Sequence, residues 1–147
     1  VREALWGEGI PSGTLLDFGC GLGDFSSWVP QVEYVGYDWA PGMVERAQKE
    51  HGSKRRRFTN EMPEGRFDVV VCIGPFNLPG SFEETWETLG KLWSRSKYCL
   101  AVCLYYGNDP SCLSYSPSCV ASFADSKAEF WTLEKHRHND LLMVLRR

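Results

Sequence analysis

Asp17-Phe18-Gly19-Cys20-Gly21-Leu22-Gly23 is the segment of this chain best suited to chemistry. Glycines at alternate positions let the backbone turn sharply and approach a ligand closely. The apolar run TLLDF (Thr14 to Phe18) leads into the turn, and a short helical stretch from Asp24 to Val29 follows it. The start of a helix offers free N–H groups. A dinucleotide fingerprint needs Gly-x-Gly-x-x-Gly, but Asp24 stands at the position of its third glycine, so that pattern fails. The acid at the mouth of the turn, Asp17, suits a cation such as an amino acid ammonium and would repel a phosphate. A second acid, Asp38, ends the next apolar run, YVGYD at Tyr34 to Asp38. A carboxylate in that place can accept two hydrogen bonds from a ribose diol. Asp38 alone would suit a nicotinamide cofactor equally well, but together with the acid-bearing turn it is specific.

Alternating strands and helices must position these residues. Pro41 to Glu50 reads as a helix with proline in its first turn, and Arg57 to Thr59 as a short third strand. Phe67 to Ile73 (FDVVVCI) is a near-continuous apolar strand, as expected when both faces are covered. Ser81 to Glu84 is a capping box that opens a helix, in which Phe82, Trp86, Leu89 and Trp93 recur on one buried face. Tyr98 to Tyr105 is a further buried strand, and Asn108 to Pro117 is a polar loop. Ser118 to Ser126 holds a short helix, and Phe130 to Lys135 and Leu141 to Leu145 form a hairpin. The order implies an α/β fold: a doubly wound, mostly parallel sheet with helices on both faces and a C-terminal antiparallel strand. Ligands gather at the carboxyl ends of such strands, near the point where strand order reverses.

With these segments in view, the chain resembles the class I S-adenosylmethionine (SAM)-dependent methyltransferases. LLDFGCGLGDF is similar to their glycine motif, YVGYDWAPGMVERAQK to their ribose-binding strand and helix, and FDVVVCIGPFNL to their fourth strand and following loop. The resemblance covers most of the chain. It implies a Rossmann-like sheet of seven strands with a reversed last strand, and SAM as cofactor, leaving S-adenosylhomocysteine (SAH) as product. It implies that Asp17, Gly19, Cys20 and Gly21 line the methionine part of SAM. Asp38 would hold the ribose hydroxyls and Trp39 would pack on the adenine. Asn60, Glu61 and Met62 would lie near the adenine amine, and Ile73, Gly74 and Phe76 beside the cofactor. Asp68, at the other end of its strand, reads as structural.

The acceptor side is less legible. Gly74-Pro75-Phe76-Asn77 departs from the Asn/Asp-Pro-Pro-aromatic motif of amino-group methylases at its first position and lacks the second proline. Asn77 remains a candidate for orienting an acceptor. The hairpin turn offers His136 and His138 as candidate bases and Arg137 as an anion binder, set against the plainer reading of a solvated turn. Tyr105 and Tyr106 end the fifth strand and face the same region. A general base is needed only when the attacking atom must lose a proton early.

Bulk properties narrow the partners. The 147 residues suit one domain, spanning residues 1–147. A net charge of −3 disfavours strong non-specific attraction to nucleic acid. The basic run Lys54-Arg55-Arg56-Arg57 precedes the third strand, which places it at the amino end of the sheet, away from the glycine turn. The six cysteines lack zinc-site spacing and read as reduced thiols in a cytoplasmic protein, with no metal. No apolar run reaches the roughly 20 residues of a membrane span. The chain begins at Val1, which reads as a trimmed N-terminus, and Trp6 reads as a remnant of a covering helix. A small-molecule acceptor is the primary expectation. The alternatives are a nucleic-acid or protein acceptor, and a non-catalytic SAM-binding subunit of a partner.

Overall fold

The computed structural model describes residues 13–77, 80–136 and 139–147, with the side chains of Asn77 and His136 left aside. Seven strands form one sheet: β1 (Thr14–Phe18), β2 (Glu33–Tyr37), β3 (Arg56–Thr59), β4 (Phe67–Ile73), β5 (Ser96–Tyr105), β6 (Phe130–His136) and β7 (Asp140–Arg146). Their spatial order is β3-β2-β1-β4-β5-β7-β6. β1 pairs in parallel with β2 and β4, β2 with β3, and β4 with β5. β7 runs antiparallel to both β5 and β6. Strand order reverses between β1 and β4, so a crevice opens beyond the carboxyl ends of these two strands.

Among the described residues three α-helices cover the sheet: α1 (Pro41–His51), α2 (Phe82–Arg95) and α3 (Pro117–Lys127). Successive strand residues point to opposite faces, and the buried side chains divide accordingly. Leu16, Val70, Cys72, Leu100 and Val102 pack with Leu89, Leu92, Val120 and Phe123 of α2 and α3. Leu15, Val69, Val71 and Ala101 share a cluster with Val44 and Ala47 of α1. A strand buried on both faces needs apolar residues at consecutive positions, which is why β4 reads as one unbroken run.

The capping box at α2 forms as the sequence implies. Ser81 Oγ accepts from the Glu84 N–H at 3.1 Å, and the Glu84 carboxylate accepts from the Ser81 N–H at 3.2 Å. Its apolar face is narrower than expected: Leu89 and Trp93 are buried, but Phe82 is 44% exposed. Phe82 is the first residue of the helix and meets Tyr115 edge-on at 5.2 Å. The short helical stretch after the glycine turn is a 3-10 helix, Asp24–Trp28, with Val29 just past its end. Short polar pieces of this length rarely sustain more than one tight turn.

Asp68 is structural, as expected. It accepts from the Thr14 N–H at 2.7 Å and from Lys97 Nζ at 3.0 Å, fastening the amino ends of β1, β4 and β5. Burial raises its carboxyl, but the bonds from Thr14 and Lys97 outweigh that and leave it below its ordinary value.

Candidate cofactor site

The glycine turn leaves β1 at Phe18 and folds back over β2. The N–H groups of Gly19 and Cys20 both donate to the Tyr37 carbonyl, at 2.8 and 2.9 Å. Gly19, Gly21 and Gly23 all have positive φ, at 76°, 53° and 80°, a region that costs other L-residues energy. Their surroundings differ. A Cβ on Gly19 would lie 2.6 Å from Pro75, and one on Gly23 would lie 2.6 Å from Phe58. A Cβ on Gly21 would meet nothing within 4 Å. Gly19 and Gly23 are therefore glycines for packing, and Gly21 is the one that leaves open space.

Asp38, only 5% exposed, is held in place by backbone on both sides. Its Oδ2 accepts from the Gly21 N–H and its Oδ1 from the Ala40 N–H, each at 2.9 Å. The carboxylate thereby ties the glycine turn to the entry of α1. Each oxygen keeps a second lone pair for a ligand hydroxyl. The Asp38 N–H donates to the Thr59 carbonyl at 3.2 Å, which sets Asn60, Glu61 and Met62 beside the end of β2. Asn60 and Glu61 are exposed and Met62 is half-buried.

Asp17 is 2% exposed. Its Oδ2 accepts from the hydroxyl of Tyr34, a residue that sequence reasoning placed in a strand and gave no role. Burial is the main reason the Asp17 carboxyl is pushed up to about 7; the Tyr34 bond acts against this and Asp38 reinforces it. The Tyr34 phenol is also pushed far up by burial and by Asp17, so it stays protonated and donates. Burial, with Asp17 and Asp38 adding to it, raises the Cys20 thiol to about 12. Cys20 is thus no nucleophile near neutral pH, and its side chain packs inward, so only its backbone belongs to the turn.

The loop after β4 closes the far side. Gly74 has φ 95°, and Pro75–Asn77 forms a single 3-10 turn. Phe76 stacks on Phe18 with ring centres 6.1 Å apart. Trp39, 52% exposed, lines with Pro75, Phe76, Ser81, Glu84 and Thr85 a cavity of about 330 Å³. Ile73 is also exposed. The structure therefore brings together Asp17, Gly19, Gly21, Asp38, Trp39 and Phe76 around the crevice between β1 and β4.

Tyr115 is a second residue that sequence reasoning missed, hidden in a polar loop. It is fully buried, and its hydroxyl donates to the Phe76 carbonyl at 3.1 Å and lies 2.8 Å from Thr85 Oγ1. A lone aromatic inside a Ser/Asn/Asp-rich loop was the signal available. Tyr115→Phe leaves that carbonyl without its partner, and the expected loss is about 1–2 kcal/mol in urea denaturation.

The acceptor-side candidates stand further along the sheet. β6 runs in the same direction as β5, so the hairpin turn lies at the carboxyl end, with Asp140 opposite both Tyr105 and His136. Asn139, at φ 63°, fastens the turn by accepting from the Tyr106 N–H at 2.9 Å. Tyr105 Oη accepts from the Asp109 N–H at 3.1 Å, which turns it toward its own loop, and Lys135 Nζ lies 5.5 Å from the Tyr106 ring centre. Arg137, His138 and Trp6, with the side chains of Asn77 and His136, lie outside the described residues.

A family model described as a methyltransferase domain matches residues 16–95. Demethylmenaquinone methyltransferase of Deinococcus radiodurans is 31% identical over 91 residues, covering 54% of this chain. The chain covers 36% of that curated relative. Magnesium protoporphyrin IX methyltransferase from Synechocystis PCC 6803, solved with bound SAH, aligns with a TM-score of 0.81 and 14% identity over 99% of this chain and 79% of its own. The N-methyltransferase NodS from Bradyrhizobium japonicum aligns with a TM-score of 0.76 and 13% identity over 99% of this chain and 91% of its own. Carried by the same turn and strands that build the site, the match over residues 16–95 shows that this chain belongs to the class I SAM-dependent methyltransferase family.

Proposed function

We propose that this protein transfers the sulfonium methyl group of SAM to a small organic molecule. The observation that carries the reading is the Asp38 carboxylate held against the Gly21 N–H at the strand-order reversal, beside a glycine with open space on its outer side. Two nearly buried acids, Asp17 and Asp38, stand at this crevice, and neither forms an ion pair among the described residues. Such a site fits a ligand that carries positive charge and a ribose.

When bound, SAM supplies a methyl group already activated by its sulfonium. The chain's residues supply position. Asp38 would accept from the ribose hydroxyls through its remaining lone pairs. Trp39 would offer an aromatic face to the adenine, with Asn60, Glu61 and Met62 at its rim. Asp17, Gly19 and Gly21, with the Cys20 backbone, would line the methionine part, and Ile73, Gly74 and Phe76 the opposite wall. Aligning acceptor, methyl and sulfur supplies several kcal/mol of the barrier. Asn77, Tyr105, Tyr106, His136, Arg137 and His138 remain the candidates around the acceptor.

The acceptor class is supported by the relatives, whose names give demethylmenaquinone and magnesium protoporphyrin as acceptors, and by the apolar rim that Trp39 and Phe76 give the cavity. The net charge of −3 argues against a nucleic-acid acceptor. Exposed Arg55 and Arg57 flank the amino end of β3, far from the turn. Methyl-labelled SAM incubated with a panel of phenols, quinols, amines and carboxylates, and separately with RNA and protein extracts, tests the assignment. Label in a small-molecule product is the expected result. Label confined to macromolecules would overturn it.

A further inference from the structure

We propose that the open edge of β6 is where a second copy of this chain docks. The two β6 strands pair antiparallel about a two-fold axis and join the sheets of both copies into one.

The described sheet has two edge strands, and they are built differently. β3, at one end, has four residues, of which Arg56 and Arg57 are basic. A short strand that carries charge discourages pairing with another chain. β6, at the other end, has seven residues and pairs with β7 alone among the described residues. An edge strand presents a row of N–H and C=O groups that another strand can pair with. Nothing blunts this one: β6 reads FWTLEKH, with no proline and no charge in its first four residues. Phe130 is 63% exposed, and Trp131 and Leu133 stay half-buried where they pack toward α2 and α3. The Trp131 indole N–H donates to Asp125 at 2.9 Å, so this ring is held in place before a partner arrives. A groove of about 330 Å³, lined by Glu129, Phe130, Trp131, Thr132 and Arg146, lies along the amino half of the edge.

The register identifies the occupant. When identical strands pair antiparallel, residues match symmetrically about the two-fold axis. With Thr132 on that axis, Trp131 of each copy comes opposite Leu133 of the other. Glu129, one residue ahead of the strand, comes opposite Lys135. Both are exposed, and neither forms an ion pair among the described residues. Lys135 Nζ lies instead 5.5 Å from the Tyr106 ring centre. Symmetry doubles each match, giving two opposite-charge pairs and two apolar pairs around Thr132 paired with itself. Opposite-charge and Thr–Thr pairs stabilise neighbouring strands, and Trp131 against Leu133 removes apolar surface from water. On the other face Phe130 lies across from the stem of Glu134. Moving the register two residues either way spoils the match on the Trp131 face. It sets Glu129 opposite Leu133, or Trp131 opposite Lys135. β6 runs in the direction of β1 and β4, so the two cofactor crevices would open at opposite ends of the joined sheet. The end of α3 in one copy would come toward the hairpin turn of the other.

Analytical ultracentrifugation of the full chain over a range of protein concentrations tests the pairing. A reversible monomer–dimer equilibrium is expected. Glu129→Lys and Lys135→Glu each place like charges opposite one another twice, and each is expected to raise the dimer dissociation constant about tenfold or more. The double variant exchanges the charges and should restore the parent's value, which a general surface effect would not do. A second measurement fixes the register. Thr132→Cys brings two thiols directly opposite, with Cα atoms roughly 4.5–5.5 Å apart, within disulfide reach. In a Cys119→Ser background, which removes the exposed native thiol, oxidised glutathione should convert Thr132→Cys to a covalent dimer. Glu134→Cys, which comes opposite Phe130, should stay uncrosslinked. A monomer at every concentration, a dimer indifferent to both charge reversals or not restored by the double variant, or no covalent dimer from Thr132→Cys would overturn the inference. The SAM assignment stands apart from all of these outcomes.

Discussion

Asp38→Ala is expected to weaken SAM binding by about 100-fold or more and to loosen the glycine turn. Two hydrogen bonds from a ribose diol to one carboxylate, at about 1.5–3 kcal/mol each, account for a loss of that size. The substitution also frees the Gly21 and Ala40 N–H groups, which now donate to Asp38 at 2.9 Å each. Two unsatisfied backbone donors near a buried position cost about 1–3 kcal/mol apiece when water cannot reach them. The variant should therefore melt earlier as well as bind worse. Asp38→Asn separates the two effects. Its amide oxygen still serves one backbone donor, so stability recovers in part, while the ribose loses its charged acceptor. Calorimetry and thermal denaturation on the same samples check both. Unchanged SAM affinity in Asp38→Ala would remove this residue from the site.

The second large effect is a contrast within the turn. Gly19→Ala places a methyl group 2.6 Å from Pro75 at φ 76°. Both the clash and the backbone conformation oppose it, and the expected cost is about 2–4 kcal/mol of stability. Gly21→Ala carries only the conformational cost, about 1–2 kcal/mol, because its methyl group meets no atom within 4 Å. That methyl group instead enters the open space proposed to hold the methionine part of SAM. Gly21→Ala is therefore expected to fold and to bind SAM at least about tenfold more weakly. Denaturant titrations and SAM titrations of the two variants check the split. Equal SAM affinity in Gly21→Ala and the parent would show that the ligand does not approach Gly21.

The sequence made the frame legible because the frame is local. β1 and β4 coincide with their apolar runs, Thr14–Phe18 and Phe67–Ile73, since both must be apolar on two faces. β5 begins at Ser96, ahead of the apolar run that starts at Tyr98, because buried Ser96 satisfies its hydroxyl on the Trp93 carbonyl at 3.0 Å. Polarity at a strand's first residues hides pairing that the register supplies. The glycine turn and Asp38 were legible for the same local reason: the backbone conformation and the acid sit in adjacent chain positions. The Asp17–Tyr34 bond was not. It depends on which residues of β1 and β2 fall side by side, a tertiary fact that no spacing within either strand encodes. Tyr115 was missed in the same way, because its partners Phe76 and Thr85 come from 39 and 30 residues away in the chain. Phe82 shows the opposite error: it keeps helical spacing with Leu89 and Trp93, but in the first turn of α2 it stays exposed and meets only the edge of Tyr115 among the aromatic rings.

The proposed site is better suited to positive charge than to phosphate. Asp17 and Asp38 bring negative charge or its potential to the strand-order reversal, where a dinucleotide would need donors for its pyrophosphate. The glycine turn spends two of its N–H groups on the Tyr37 carbonyl and a third on Asp38. Few remain to cradle an anion. This electrostatic choice is the basis for separating the chain from nicotinamide enzymes of similar architecture.

Titration of the folded protein with SAM and, separately, with NAD tests that choice most directly. Saturable binding of SAM in the micromolar range, with no binding of NAD, is the expected result. Binding of NAD in place of SAM, or no binding of SAM by well-folded protein, would contradict it.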